Sequence, residues 1–90
     1  MRKYIEQGKV IRENAKKLVL EYMNNASECS PSSKGMKQAE IFRNCGLDWG
    51  NYDNATSTNQ QYWLVALIRE LEQERMVVRN LDTKEWRLMK

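Results

Sequence analysis

The stretch "TNQQYWLVALIRELEQERMVV", Thr58 to Val78, limits the fold more than any other part of the chain. Leu64, Leu67, Ile68 and Leu71 recur at three and four, which sets them along one stripe of a helix and requires a core beneath it. Thr58, with Gln61 three places on, has the form of a capping box and starts the helix. The apolar run that begins at Met76 reads as a strand, Met76–Arg79, and a polar turn through Asn80, Asp82 and Lys84 leads to a second, Glu85–Leu88. Trp86 and Leu88 stand two apart on that strand, on its core face. The opposite side of the helix holds Asn59, Tyr62, Ala66, Arg69 and Gln73 in one line, and that face calls for an explanation.

Upstream, Ile11, Ala15, Leu18, Val19 and Tyr22 repeat at three and four and predict a first helix from about Tyr4 to Asn24. Lys9, Arg12, Lys16 and Lys17 fall mostly off its stripe. "NNASECSPSSKG" contains the only proline, Pro31, and reads as a loop. A second helix is expected from about Met36 to Cys45, with Ala39, Ile41 and Phe42 inward. Gly46 can stop it in the left-handed conformation while Leu47 folds back on Ile41 or Phe42. "DWGNYDNATS" is a long polar loop with two aromatics, Trp49 and Tyr52, read either as loop anchors or as a base-stacking pocket. The expected fold class is mainly α with a C-terminal β-hairpin, three helices around one core.

Ninety residues make one domain, 1–90, in which 1–9 extend the first helix. A chain this short buries about 60% of its unfolded surface, enough for one modest core. With 41% hydrophobic residues, three Trp and four Tyr, it is expected to fold. No apolar run approaches the roughly 18 residues of a membrane span, and "MRKYIEQGKV" lacks the apolar region of a signal peptide. The expected location is the cytoplasm, or the nucleus in a eukaryote. Cys29 and Cys45 match no metal-ligand spacing and there is no histidine, so both read as reduced thiols, with Cys45 partly buried near a helix end. The triplets at Asn25 and Asn54 read as chance glycosylation matches in polar loops. Net charge is +3, unevenly placed: residues 1–20 carry +4, residues 21–57 carry −2 and residues 58–90 carry +1. A mildly basic small domain is compatible with nucleic-acid binding.

"MKQAEIFRNCGL" as a second helix and its stop, "NQQYWLVALIRELEQERMVV" as a helix running into a strand, and "KEWRLM" as a returning strand together resemble the winged-helix (winged helix-turn-helix) DNA-binding domains. The likeness covers roughly Val10 to Met89, and the last fifty residues are similar to the modules attached to some restriction endonucleases. The sequence departs from the family in the loop of about eleven residues between the second and third helices. The resemblance implies that the third helix enters the major groove of double-stranded DNA and that the wing meets phosphates.

The outer line of the third helix then has a role. Asn and Gln pair bidentately with adenine, Arg with guanine, and a small apolar residue such as Ala66 meets a thymine methyl. Candidate DNA contacts are Thr58, Asn59, Gln61, Tyr62, Ala66 and Arg69 on the helix, Arg79, Lys84 and Arg87 on the wing, and Lys34 and Lys37 at the start of the second helix. Each is also an ordinary solvated residue on the bland reading. Glu70, Glu72 and Glu74 would repel phosphate and confine contact to the first half of the helix. A protein-binding winged helix (a scaffold, a dimerising element or a phage-encoded inhibitor) is the alternative, favoured by those glutamates and the modest charge. No catalytic triad, metal site or Gly-rich phosphate loop is present in the sequence. The expectation is a non-enzymatic module without cofactor, from a restriction-modification or transcription-regulation system, whose partner is duplex DNA, a protein or a second copy of itself, and not a membrane.

Overall fold

The computed structural model describes residues 2–47 and 62–89, and every side chain among them except those of Tyr62 and Trp63. Helix α1 spans Arg2–Asn25 and is followed by a short 3-10 turn at Ser27–Cys29. Strand β1 is Met36–Lys37, α2 is Gln38–Asn44, α3 is Tyr62–Gln73, β2 is Val77–Arg79 and β3 is Glu85–Leu88. The strands form one antiparallel sheet in the order β1-β3-β2.

The core follows the helical stripes. Val19 and Met23 of α1, Ile41 and Phe42 of α2, Leu64, Ile68 and Leu71 of α3, Val77 and Trp86 are fully enclosed. The stripe expected on α3 is therefore the buried one, and Leu88 packs against the same cluster.

The stop of α2 is the one the sequence suggested. Gly46 has φ +72. Its N–H donates to the Arg43 carbonyl at 2.9 Å, and the Leu47 N–H to that of Phe42 at 2.9 Å. This pair of bonds is a Schellman motif, with Leu47 folded onto the core. Helix α3 ends the same way without a glycine. Arg75 takes φ +62, and its N–H and that of Met76 reach the carbonyls of Glu72 and Leu71, each at 3.0 Å.

Three expectations need correction. The strands are not a free-standing terminal hairpin, because β1 completes a three-stranded sheet with β3 at its centre. The second helix is shorter than the expected Met36–Cys45, because Met36 and Lys37 pair with Trp86 and Glu85 as strand. Gly35 makes that pairing feasible: with φ +100, a Cβ there would stand 2.8 Å from the Trp86 carbonyl oxygen. A two-residue strand is too short to show a period.

The third correction is on α1. Ile11 and Leu18, assigned to its stripe, are 67% and 41% exposed, while Lys16, assigned off it, is only 5% exposed. The first residue of α1 that the body covers is Ala15. Lys16 is accommodated by three carboxylates: Glu13 at 3.0 Å, Glu70 at 2.7 Å and Glu74 at 2.8 Å. It thereby ties α1 to α3. The hydrogen bonds that the ammonium donates to Glu70 and Glu74 outweigh the cost of burial and raise the Lys16 pKa above the ordinary lysine value. Lys16 in turn lowers the pKa of Glu70.

Both cysteines are free thiols, Cys29 buried and Cys45 half-buried. Burial, and then the neighbouring Cys29, push the Cys45 pKa up to about 11, which keeps that thiol protonated and unreactive near neutrality. Among the described residues no helix is long and apolar enough to cross a membrane.

Candidate nucleic-acid interface

Of the outer line of α3, Ala66, Arg69 and Gln73 are exposed, on the side opposite Leu64, Leu67, Ile68 and Leu71. Thr58, Asn59 and Gln61, with the capping box they were to form, lie outside the described residues, as do Trp49 and Tyr52. Tyr62 is described in its backbone alone, as the first residue of α3.

The geometry around Trp86 joins α3 to the sheet. The Arg69 guanidinium stands 5.4 Å from the centre of the buried indole. That of Arg79 stands 5.8 Å from the same ring. Arg79 is the register partner of Trp86 across β2 and β3, so the two side chains share one sheet face. Cations at these distances from a Trp ring are attracted by its quadrupole. Arg69 Nη1 also bonds Glu72 at 3.0 Å. Arg79 Nε and Trp86 Nε1 are buried without a hydrogen-bond partner.

Lys34, Lys37 and Arg87 gather elsewhere. Side chains alternate along β3, so Glu85 and Arg87 point to the face opposite Trp86. Lys37 is the register partner of Glu85. Lys34 Nζ lies 3.7 Å from Glu85 Oε2. Arg87 Nε donates to the Pro31 carbonyl at 3.1 Å. The basic residues named from the sequence thus divide into an α3-side pair, Arg69 and Arg79, and a group around Glu85 on the other sheet face. Helix α2 has only seven residues, so its dipole adds little to Lys34 and Lys37.

Lys84 lies in the turn between β2 and β3, exposed and with φ +64. Asn80 shapes this turn: its Oδ1 accepts the N–H groups of Asp82 at 2.9 Å and Thr83 at 3.2 Å. Sequence reasoning passed over Leu81 at the tip, which is 83% exposed. An apolar residue in an otherwise polar turn was the available signal.

The glutamates of α3 are occupied within the molecule. Glu70 and Glu74 bond Lys16, and Glu72 bonds Arg69. Their charges are partly offset, which lessens both the expected repulsion of phosphate and the case for an acidic protein-docking face. Nothing in the sequence could have paired Lys16 with residues 54 and 58 positions away.

Comparison of the chain with protein-family models, with curated proteins and with solved structures finds no match.

Proposed function

We propose that the chain is a winged-helix module that binds duplex DNA, with α3 in the major groove and the β2–β3 turn on the phosphate backbone. The observation that carries this reading is the convergence of Arg69 from α3 and Arg79 from β2 on one indole, Trp86. Two guanidiniums from different elements are held at one ring, that of Arg69 from the exposed face of the helix. Arg69 reads a guanine edge, Arg79 and Lys84 meet phosphates, and Leu81 at the turn tip meets the groove wall. The order α1, β1, α2, α3, β2, β3, with the last two strands directly after α3, supports the fold assignment. The role is recognition rather than catalysis, in a restriction or regulatory protein of the cytoplasm or nucleus.

Fluorescence anisotropy with a labelled duplex, titrated at rising salt, tests this. The expected affinity is micromolar or weaker, with log K falling against log salt by about 0.9 for each phosphate contacted. Absence of binding at low salt and high protein concentration would refute the DNA reading. The bare apolar face of α1 favours a protein contact in addition.

A further inference from the structure

The three glutamates of α3 are not equivalent. At about 100° per residue, Glu70 and Glu74 fall to one side of Arg69, where they bond Lys16 of α1, and Glu72 falls to the other. Glu72 stands about one turn on from Arg69, and its Oε1 accepts from Arg69 Nη1 at 3.0 Å. This uses a single donor of a guanidinium that carries several. Among the described residues the Nε–Nη2 edge of Arg69 has no hydrogen-bond partner.

Arg69 is thus held at two points beyond its own backbone. The buried Trp86 ring, 5.4 Å from the guanidinium, attracts it toward the sheet. The Glu72 carboxylate restrains the rotation of the planar group at that position. A long side chain left on its own samples many rotamers, and ordering it on binding costs affinity. The pair contributes little to the fold, because the Arg69 and Glu72 side chains are 45% and 38% exposed.

We propose that Glu72 is a positioning residue for DNA recognition. By holding Nη1 it leaves the Nε–Nη2 edge of Arg69 as a preformed fork for the O6 and N7 acceptors of guanine. The inference rests on the reading of Arg69 as a base contact, and it gives one of the α3 glutamates a role other than repulsion. A carboxylate that only repels phosphate weakens binding to every sequence alike. A carboxylate that orients a base-reading arginine raises the discrimination between bases instead. For an ion pair as exposed as this one, that factor is at most about fivefold.

The two effects separate in a binding assay on the full chain. Selection from a randomised duplex pool gives the preferred site, and the same selection with Arg69→Ala shows which base position depends on Arg69. Discrimination is then the ratio of affinities for duplexes with and without guanine at that position, measured for wild type, Glu72→Ala and Glu72→Gln. Glu72→Ala should lower the ratio by about threefold to fivefold with the melting temperature close to wild type. Glu72→Gln retains an acceptor for Nη1 but loses the charge, so it should keep the ratio while tightening binding to all duplexes. In an Arg69→Ala background, Glu72→Ala should leave the ratio unchanged. If Glu72→Ala tightened binding to all duplexes and left the ratio at its wild-type value, Glu72 would be a repelling charge and the proposal would be overturned. A ratio that fell equally in the Arg69→Ala background would overturn it too. A wild type that bound no duplex, or whose base preference did not depend on Arg69, would instead remove the DNA reading of Arg69, and this inference with it.

Discussion

Replacing Lys16 separates two contributions that the structure combines in one side chain. Lys16→Ala removes three methylenes from a site 5% exposed, a loss of about 2 kcal/mol at 0.8 kcal/mol per methylene. It also removes the ammonium from Glu13, Glu70 and Glu74. Those carboxylates are 55%, 39% and 47% exposed, so water takes over most of what they lose. The charge component is then about 1 kcal/mol rather than the 3–5 kcal/mol of a fully buried pair broken on one side. Together the expected cost is about 3 kcal/mol, a large share of the 5–15 kcal/mol typical of a domain. Lys16→Met keeps the stem and should cost only about 1 kcal/mol. In urea, with a slope near 1 kcal/mol per molar for a domain of this size, the midpoints should fall by about 3 M and about 1 M. Far-UV circular dichroism follows the transition. If Lys16→Ala stayed within about 0.5 kcal/mol of wild type, Lys16 would behave as a surface residue, and the packing of α1 on α3 described above would be wrong.

The same cluster sets a pH window, because the lowered Glu70 pKa stabilises the fold above its ordinary value of 4.5 and the raised Lys16 pKa stabilises it below 10.5. Chemical denaturation across pH should therefore show a plateau that declines as the pH falls through the lowered Glu70 value and as it climbs past 10.5 towards the raised Lys16 value, and Lys16→Met should flatten both edges. Trp86→Ala should cost about 3–5 kcal/mol in the same assay, and a melting temperature close to wild type would show that β3 is not seated in the core. Gly35→Ala should cost more than about 1 kcal/mol through the clash with the Trp86 carbonyl and the positive φ, a strain that hydrogen exchange would report as early opening of β1. In DNA binding, Arg69→Ala should cost about 1–3 kcal/mol and relax preference at one base position, whereas Lys84→Ala should weaken all sequences alike and lower the salt slope by about one. Equal, uniform losses in a randomised duplex pool would remove α3 from sequence reading.

What was legible in the sequence was whatever repeats or punctuates. The stripe of Leu64, Leu67, Ile68 and Leu71, the Gly46–Leu47 stop and the inward Trp86 all follow from local spacing. What was not legible depends on distance along the chain. Strand β1 is two residues whose partner lies about fifty positions later, and Lys16 is explained by Glu70 and Glu74. The stripe of α1 misled for a related reason: spacing tells which residues share a face, but not where the body of the protein ends beneath them. Ile11 therefore lies on the right face but beyond the part of α1 that the body covers. Among the candidate DNA contacts, the core face assigned to Trp86 already set Arg87 on the other side of β3, but the register that puts Arg79 across from Trp86, and the approach of Arg69 to the same ring, depend on pairing between elements and not on local spacing.

The order β1-β3-β2 also governs how the protein can be made. Among the described residues neither β1 nor β2 has a strand partner except β3, which comes last of the three in the chain. As the chain leaves the ribosome, Met36–Lys37 and Val77–Arg79 have nothing to pair with until Glu85–Leu88 emerges. The pairing of Met36 with Trp86 closes a long loop, a contact formed late and at an entropic cost. Helical contacts can gather beforehand, but the sheet and the burial of Trp86, itself a residue of β3, wait for that last strand. A nascent chain stopped short of Glu85 would expose two unpaired strand segments and become a target for quality control.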